Sequence, residues 1–267
     1  MVSSSRTVYL DWNATSPPHP EVLDAMHRVS DEAWGNPASL HGPGRAARAW
    51  VERARETVAR LLGFEARDVT LTSGGTEANN LALETLLCSS SGPAKALVVS
   101  AIEHPSVLRK ADELATRGVE VQRIEPESDG RVPVQAFAAA LERAAGSVQV
   151  VALQAVNHET GVIQPVAAVA QLAHGRGARM HVDAVQAVGK LDPDCWAAAD
   201  TVSISAHKIR GPKGLGALAC RPGIRPSPIL RGGGQERGAR PGTQDASTAA
   251  GLVVAAEQAV LSPSAYR

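Results

Sequence analysis

From residue 68 onward, short apolar runs alternate with stretches whose apolar positions recur at helical spacing. DVTLTS (68–73) precedes EANNLALETLLC (77–88), KALVVS (95–100) precedes PSVLRKADELATRG (105–118), and VEVQRI (119–124) precedes VPVQAFAAALERAA (132–145). VQVVALQ (148–154), PVAAVAQLAHGRG (165–177), ARMHVD (178–183) and TVSISA (201–206) continue the series. Short, nearly continuous apolar runs bounded by turn formers predict strands buried on both faces, and the longer 3.6-residue periodicities predict helices. Such a βα rhythm predicts an α/β fold: a mainly parallel sheet with helices on both faces. Ligands of such a sheet bind at the carboxyl ends of its strands.

The first 67 residues read differently. An extended YLDWNATSPP (9–18) leads into a Pro-led helix, a GNPASLHGPG loop (35–44) and a long Arg/Glu helix, RAARAWVERARETVARLLG (45–63). This predicts an arm followed by a helix packed on the sheet. SSSGPAK (89–95) and RPGIRPSPILRGGG (221–234) are rich in loop formers.

Composition narrows the function classes. A chain of 267 residues with 44% apolar content can bury one large core or two modest ones, which excludes disorder. Twenty-seven basic residues balance twenty-seven acidic ones, so no global field favours nucleic acid or an anionic membrane, and a small-molecule partner is expected. ILRGGGQERGARPG has the Arg-Gly character of some RNA-binding segments but lacks interleaved aromatics and repeats, and reads as an active-site loop. Three cysteines without C-x-x-C or metal-type spacing predict thiols in a reducing compartment, hence a cytoplasmic protein without a metal site. MVSSSRTVYL lacks a signal-peptide core, and no apolar run is long enough to span a bilayer, so no membrane partner is expected.

Every promising polar residue falls just after a predicted strand. Ser73-Gly74-Gly75-Thr76-Glu77 opens a helix whose amides could hold a phosphate, or is simply a helix capped by Ser73 or Thr76. His104 could stack on a planar ring or cap the next helix. Asp183 could be a cap, a metal ligand or a charge partner. Lys208 follows TVSISAH, where burial would lower its pKa and release a nucleophilic amine; a structural lysine is the plain alternative. An anion-binding turn, a stacking group, a buried carboxylate and a lysine amine together match what pyridoxal 5'-phosphate requires for its phosphate, ring, ring nitrogen and aldehyde.

The ordered set YLDWNAT, GNPASLHGPG, TSGGTEANN, VNHETGVIQP, HVDAVQAVGK, SAHKIRGPKGLGAL and GGGQERGARPGT resembles the cysteine desulfurases of the NifS/IscS type, class V members of the aminotransferase superfamily. The resemblance spans almost the whole chain. It implies a fold-type-I pyridoxal-phosphate enzyme, a homodimer, that converts L-cysteine to L-alanine and passes the sulfur to an acceptor such as an iron–sulfur scaffold protein. It also implies an arm over 1–20, a cofactor-binding large domain over 21–260, and the start of a small carboxyl-terminal domain over 261–267. By the same resemblance Lys208 would bond the cofactor's aldehyde, Asp183 would hold the pyridine nitrogen and His104 would stack on the ring. Gln186 would approach the phenolic oxygen, while Gly75, Thr76, Ser205 and His207 would hold the phosphate. Thr243 would reach the phosphate of a neighbouring subunit.

Two departures from the family stand out. His158 occupies the place of the second asparagine in the usual Asn-Asn-Glu run, where an imidazole N–H can still donate to the phenolic oxygen. Family members also continue beyond Arg267, and that region carries the sulfur-accepting cysteine and the arginine for the substrate carboxylate. Cys88 and Cys220 read as small core residues and Cys195 as half-exposed and unactivated, so the chain alone is expected to be a poor desulfurase. Other class V reactions, β-elimination or transamination, use the same cofactor site. A non-catalytic paralogue that dimerises with a full-length desulfurase is the remaining alternative.

Overall fold

The computed structural model describes residues 8–88, 95–144 and 148–261. Two helices come first, α1 (Pro20–Glu32) and α2 (Gly42–Leu62), each with a proline in its first turn. Proline fits there because the first-turn N–H groups have no intrahelical partner. His41 caps α2 by accepting from Gly44 N at 3.2 Å, and Gly63, at φ 76°, ends it in the left-handed conformation.

The alternating segment follows as β1 (Val69–Thr72), α3 (Gly75–Cys88), β2 (Lys95–Ser100), α4 (Pro105–Thr116), β3 (Glu120–Ile124), α5 (Val134–Arg143) and β4 (Val148–Gln154). It continues with α6 (Val166–His174), β5 (Arg179–Asp183), β6 (Thr201–Ser205), β7 (Gly216–Cys220) and α7 (Ala246–Leu261). The strands form one seven-stranded sheet in the order β1-β7-β6-β5-β4-β2-β3. β7 runs antiparallel to both neighbours and every other pairing is parallel, so six strands share one direction and bring their carboxyl ends to one edge.

Both faces are covered. Along β2, Leu97 and Val99 join a cluster with Leu83, Leu87, Val107 and Leu114 of α3 and α4. Val98, between them, joins the opposite core with Val58 of α2, Phe137 of α5, Val169 of α6 and Leu252 of α7. Successive strand residues point to opposite faces, so a strand buried on both sides must be apolar throughout, as the sequence pattern requires. α7 is the one long helix the alternation does not announce. Nine of its sixteen residues are buried, from Ala246 to Ala259, and a helix apolar nearly all round has no periodic signature. No described helix is long and apolar enough to cross a membrane. Residues 1–7 of the expected arm, the 262–267 part of the expected small-domain start, and the side chain of Cys88 lie outside the described residues.

Candidate active site

At the shared carboxyl edge the strand ends of β1, β2, β4, β5 and β6 line a cavity of about 560 Å³, within the ordinary range for small-molecule sites. Gly75 and Thr76 form one wall. They sit in the first turn of α3, where N–H groups have no intrahelical carbonyl and the helix dipole favours an anion. A Cβ at Gly75 would lie 2.7 Å from Val185 Cγ2, and one at Gly216 would lie 2.6 Å from Gly74 Cα. Glycine at both places lets the turn press against β5's continuation and β7. Glu77 is bent back, accepting from Ser73 N at 2.6 Å and from Arg240 Nε at 3.0 Å, so its charge does not fill the amide cradle. Ser205 and His207 line the same wall. Burial, reinforced by Lys208 and Lys213, pushes His207 down to about 4, so its imidazole is neutral, with Nδ1 3.0 Å from Thr15 Oγ1.

Asp183 ends β5 at the floor, buried. Its Oδ1 accepts from Val185 N at 3.0 Å and its Oδ2 from Asn79 Nδ2 at 2.7 Å. Asn79 is the residue that sequence reasoning missed. Its Nδ2 also donates to Ser106 Oγ at 2.9 Å, while its Oδ1 accepts from Ser203 Oγ and from His181 Nε2, the latter at 3.1 Å. Because an amide oxygen cannot donate, His181 must carry its proton on Nε2 and accept from Thr201 at Nδ1, 3.0 Å away. Burial pushes His181 down to about 4 and keeps it neutral. The amide of Asn79 therefore has both donors and its oxygen committed, which fixes the Asp183 carboxyl at the floor of the cavity.

The same network reaches His104. Its Nδ1 accepts from Ser106 N at 3.1 Å and lies 2.7 Å from Ser106 Oγ, so His104 caps α4 while its ring lines the cavity. Burial, with His158 and Lys208 nearby, holds its pKa below the ordinary histidine value against the pull of Asp183. The His158 ring meets it edge to face at 5.2 Å, with Nδ1 3.4 Å from Gln154 Oε1. Gln186 also lines the cavity, but its Nε2 donates to Asn13 O at 2.9 Å and its Oε1 accepts from Lys190 Nζ at 2.8 Å.

Lys208 stands on the short turn after β6, half-buried. Its ammonium donates to the main-chain carbonyls of Asn13 and Ala14, the second at 2.9 Å. Burial lowers its pKa from the usual lysine value, with Asp183 and Asp11 pulling the other way. The arm is pinned to the same turn, since Ser16 N and Oγ both donate to His207 O, at 3.1 and 2.7 Å. Nine of the ten site residues expected from sequence thus share one cavity. Thr243 does not: it is exposed on a separate loop, beside a groove that Trp34 also borders. Gln154 had no sequence signal beyond ending β4, and Asn79, inside α3, and the arm carbonyls of Asn13 and Ala14 had none.

An amide cradle too tight for any side chain at Gly75, a fixed carboxyl at the floor and a desolvated amine fit an anionic aldehyde cofactor with a basic ring nitrogen, as pyridoxal 5'-phosphate is. A mainly parallel α/β sheet with that cavity at its carboxyl edge is the architecture of the aminotransferases, and residues 8–250 match the class-V aminotransferase family, to which the chain belongs. Among its relatives is a cysteine desulfurase of Cereibacter sphaeroides, 44% identical over 256 residues that make up 95% of this chain and 65% of that protein. A solved NifS-like protein superposes with a TM-score of 0.90 at 36% identity, covering 97% of this chain and 71% of that one. SspA, solved in complex with cysteine, gives a TM-score of 0.87 at 32% identity, over 94% of this chain and 72% of that one. The chain spans less than two thirds of the length of the curated relatives it matches, 62 to 65% for two of them.

Proposed function

We propose that the chain is the cofactor-binding part of a pyridoxal-phosphate-dependent cysteine desulfurase, which converts L-cysteine and an acceptor thiol to L-alanine and an acceptor persulfide. The convergence of Lys208, Asp183 and the Gly75-Thr76 cradle on one cavity carries this reading. The relatives' names, and cysteine in the SspA complex, support the substrate. Lys208 would hold the aldehyde, Asp183 the ring nitrogen, His104 a ring face, and Gly75, Thr76, Ser205 and His207 the phosphate. His158 and Gln186, which both line the cavity, would approach the phenolic oxygen. When bound, the cofactor supplies an electron sink for bonds broken at the substrate's α-carbon.

The chain's own residues do the rest. Asp183, fixed by Asn79, would face the ring nitrogen and favour its protonated form. Lys208 Nζ, with its pKa lowered by burial, would move the α-proton. Neither described thiol suits the acceptor role: Cys195 is pushed up by burial and by Asp192 and Asp194, and burial pushes Cys220 to about 12. Neither lines the cavity. The accepting thiolate therefore comes from outside these two cysteines, and the chain works in a homodimer, with Thr243 reaching a neighbour's phosphate. The cysteine usage supports a cytoplasmic setting. Because both described thiols are unsuited, β-elimination that releases sulfide is the second reading.

Borohydride reduction of the cofactor-loaded chain, followed by peptide mapping, should place the pyridoxyl label on Lys208. A label on another lysine, or a Lys208→Ala protein that keeps the cofactor's visible absorbance band, overturns the assignment.

A further inference from the structure

Lys190 stands beside the cofactor cavity without lining it. It borders an adjoining hollow that shares Asn13, Gln186 and Lys208 with the cavity. Its Nζ donates to Gln186 Oε1 at 2.8 Å. Gln186 Nε2 in turn donates to Asn13 O at 2.9 Å, the carbonyl on which the Lys208 ammonium also rests. A run of hydrogen bonds thus leads from Lys190 through Gln186 and Asn13 to the amine that would hold the cofactor.

The backbone brings Lys190 to this place. Gln186 and Lys190 are four residues apart on the turn that follows β5, where Val188 N donates to Ala184 O and Lys190 N to Ala187 O, both at 3.0 Å. Gly189, at φ 78°, lies between them and the chain beyond; a Cβ there would lie 3.0 Å from Ile209 Cγ2 and 3.1 Å from Ala259 Cβ. The turn is therefore seated against the residues that follow β6, Lys208 among them, and against α7.

This run has a fixed sense. The two ends of a glutamine amide have the same shape, so its neighbours decide which end faces where. Burial and the charge of Lys208 push Lys190 down to about 8, which leaves it an ammonium at pH 7, with donors only. Lys190 therefore meets the oxygen of Gln186. Asn13 O, which only accepts, takes one N–H, and the second N–H of Gln186 has no partner among the described residues. Gln186 is buried and lines the cavity, so an acceptor for that N–H has to come from within the cavity.

We propose that Lys190 is a positioning residue, which holds the Gln186 amide nitrogen on the cavity side so that it donates to the cofactor's phenolic oxygen. The inference rests on the cofactor reading given above and deepens it by naming what sets the donor. Without Lys190 the amide oxygen loses its donor. A turned amide would set that oxygen against Asn13 O and against the phenolic oxygen, two acceptors that repel it.

The first test uses the full chain free of cofactor, isotope-labelled for magnetic resonance. Lys190→Met, which keeps the stem and loses the donor, should shift the side-chain amide resonances of Gln186, and Lys190→Arg, which keeps a donor, should leave them near their wild-type positions. Resonances unmoved in Lys190→Met overturn the proposal. The second test follows the visible absorbance band of the cofactor-loaded chain against pH. A donor on the phenolic oxygen lowers the proton affinity of the nitrogen that joins Lys208 to the cofactor. Gln186→Ala and Lys190→Met should therefore each raise the band's midpoint by about one pH unit, the scale of one hydrogen bond to a charged group. Loss of a cation also raises the midpoint through space, and the double variant separates the two causes: its midpoint should match that of Gln186→Ala alone. Additive shifts, or a wild-type midpoint in Gln186→Ala, refute the positioning role. A wild-type chain that takes up no pyridoxal 5'-phosphate sinks the proposed function and the phenolic contact with it, whereas the amide resonances still decide whether Lys190 orients Gln186.

Discussion

Glu103 and His181 are buried, each hydrogen-bonded to a residue that lines the cavity, Gln154 and Asn79, and their ionisation pulls stability in opposite directions. Glu103 Oε1 accepts from Ser100 Oγ at 2.5 Å and Gln154 N at 2.8 Å, while its buried Oε2 has no partner. Burial, with Asp183 adding to it, pushes the carboxyl up to about 8. A folded acid with a raised pKa loses stability as pH climbs from the unfolded value, 4.5, through 8, because the unfolded chain gives up the proton first. His181 does the reverse: held near 4 instead of 6.5, it loses stability as pH falls through that window. Glu103→Gln keeps an oxygen for Gln154 N and cannot ionise. In urea unfolding it should therefore gain on the order of 3 kcal/mol over the wild type at pH 8.5 and little at pH 5. A gain that is equal at both values would sink the assignment. At this scale the sequence was legible where a residue ended a strand, as for Asp183 and Lys208. It was mute for Asn79, whose position inside α3 looks like any polar helical residue until four partners from three other elements converge on it.

Among elements, the loop from Gly232 to Gly242 depends on a pairing that no local pattern could reveal. Glu236 sits at φ 48° and Arg237 at φ 58°, so two successive residues stand in the left-handed region. What holds them is Glu236, whose carboxylate takes Arg55 Nη1 and Nη2 of α2 at 2.5 and 3.0 Å and Leu71 N of β1 at 3.0 Å, with Gln244 Nε2 as a further donor. Both side chains of the pair are at most 4% exposed. Glu236→Gln leaves the buried Arg55 with only the half-exposed Glu52 as counterion, which should cost about 3 kcal/mol. Denaturant unfolding would measure the loss, and limited proteolysis should cut first within 232–242. Wild-type stability together with an uncut loop would show the anchor to be idle. Glycine and arginine content marked this stretch as a loop, but the 181 residues between the paired side chains hid its fastening. The βα alternation, by contrast, was readable, because the central strands must be apolar on both faces, and even the polar edge strand β3 kept Val121 and Ile124 between helical stretches. β7's reversed direction was not, since a Gly-Pro turn looks the same before either orientation.

For the whole molecule, the separation of Thr243 from the cavity is the informative fact. Thr243 borders a groove with Trp34, and Trp34 and Leu40 expose most of their apolar surface. Light scattering on the cofactor-loaded chain should give a dimer, and Trp34→Glu should shift it toward monomer. A monomer at micromolar concentration that keeps its cofactor would contradict a shared site. The amino-terminal arm has a different relation to the site. Lys208's ammonium already rests on the carbonyls of Asn13 and Ala14, so the chain shields its own amine as a chemist shields one with a removable protecting group. Any aldehyde that captures Lys208 must draw its nitrogen off both carbonyls; Asn13 O then keeps Gln186 Nε2 as a donor, while the Ala14 carbonyl must find water or a new one. Cofactor loading thereby trades one hydrogen bond of the arm against the captured amine, and the state of the Ala14 carbonyl becomes an internal gauge of whether that amine is in use.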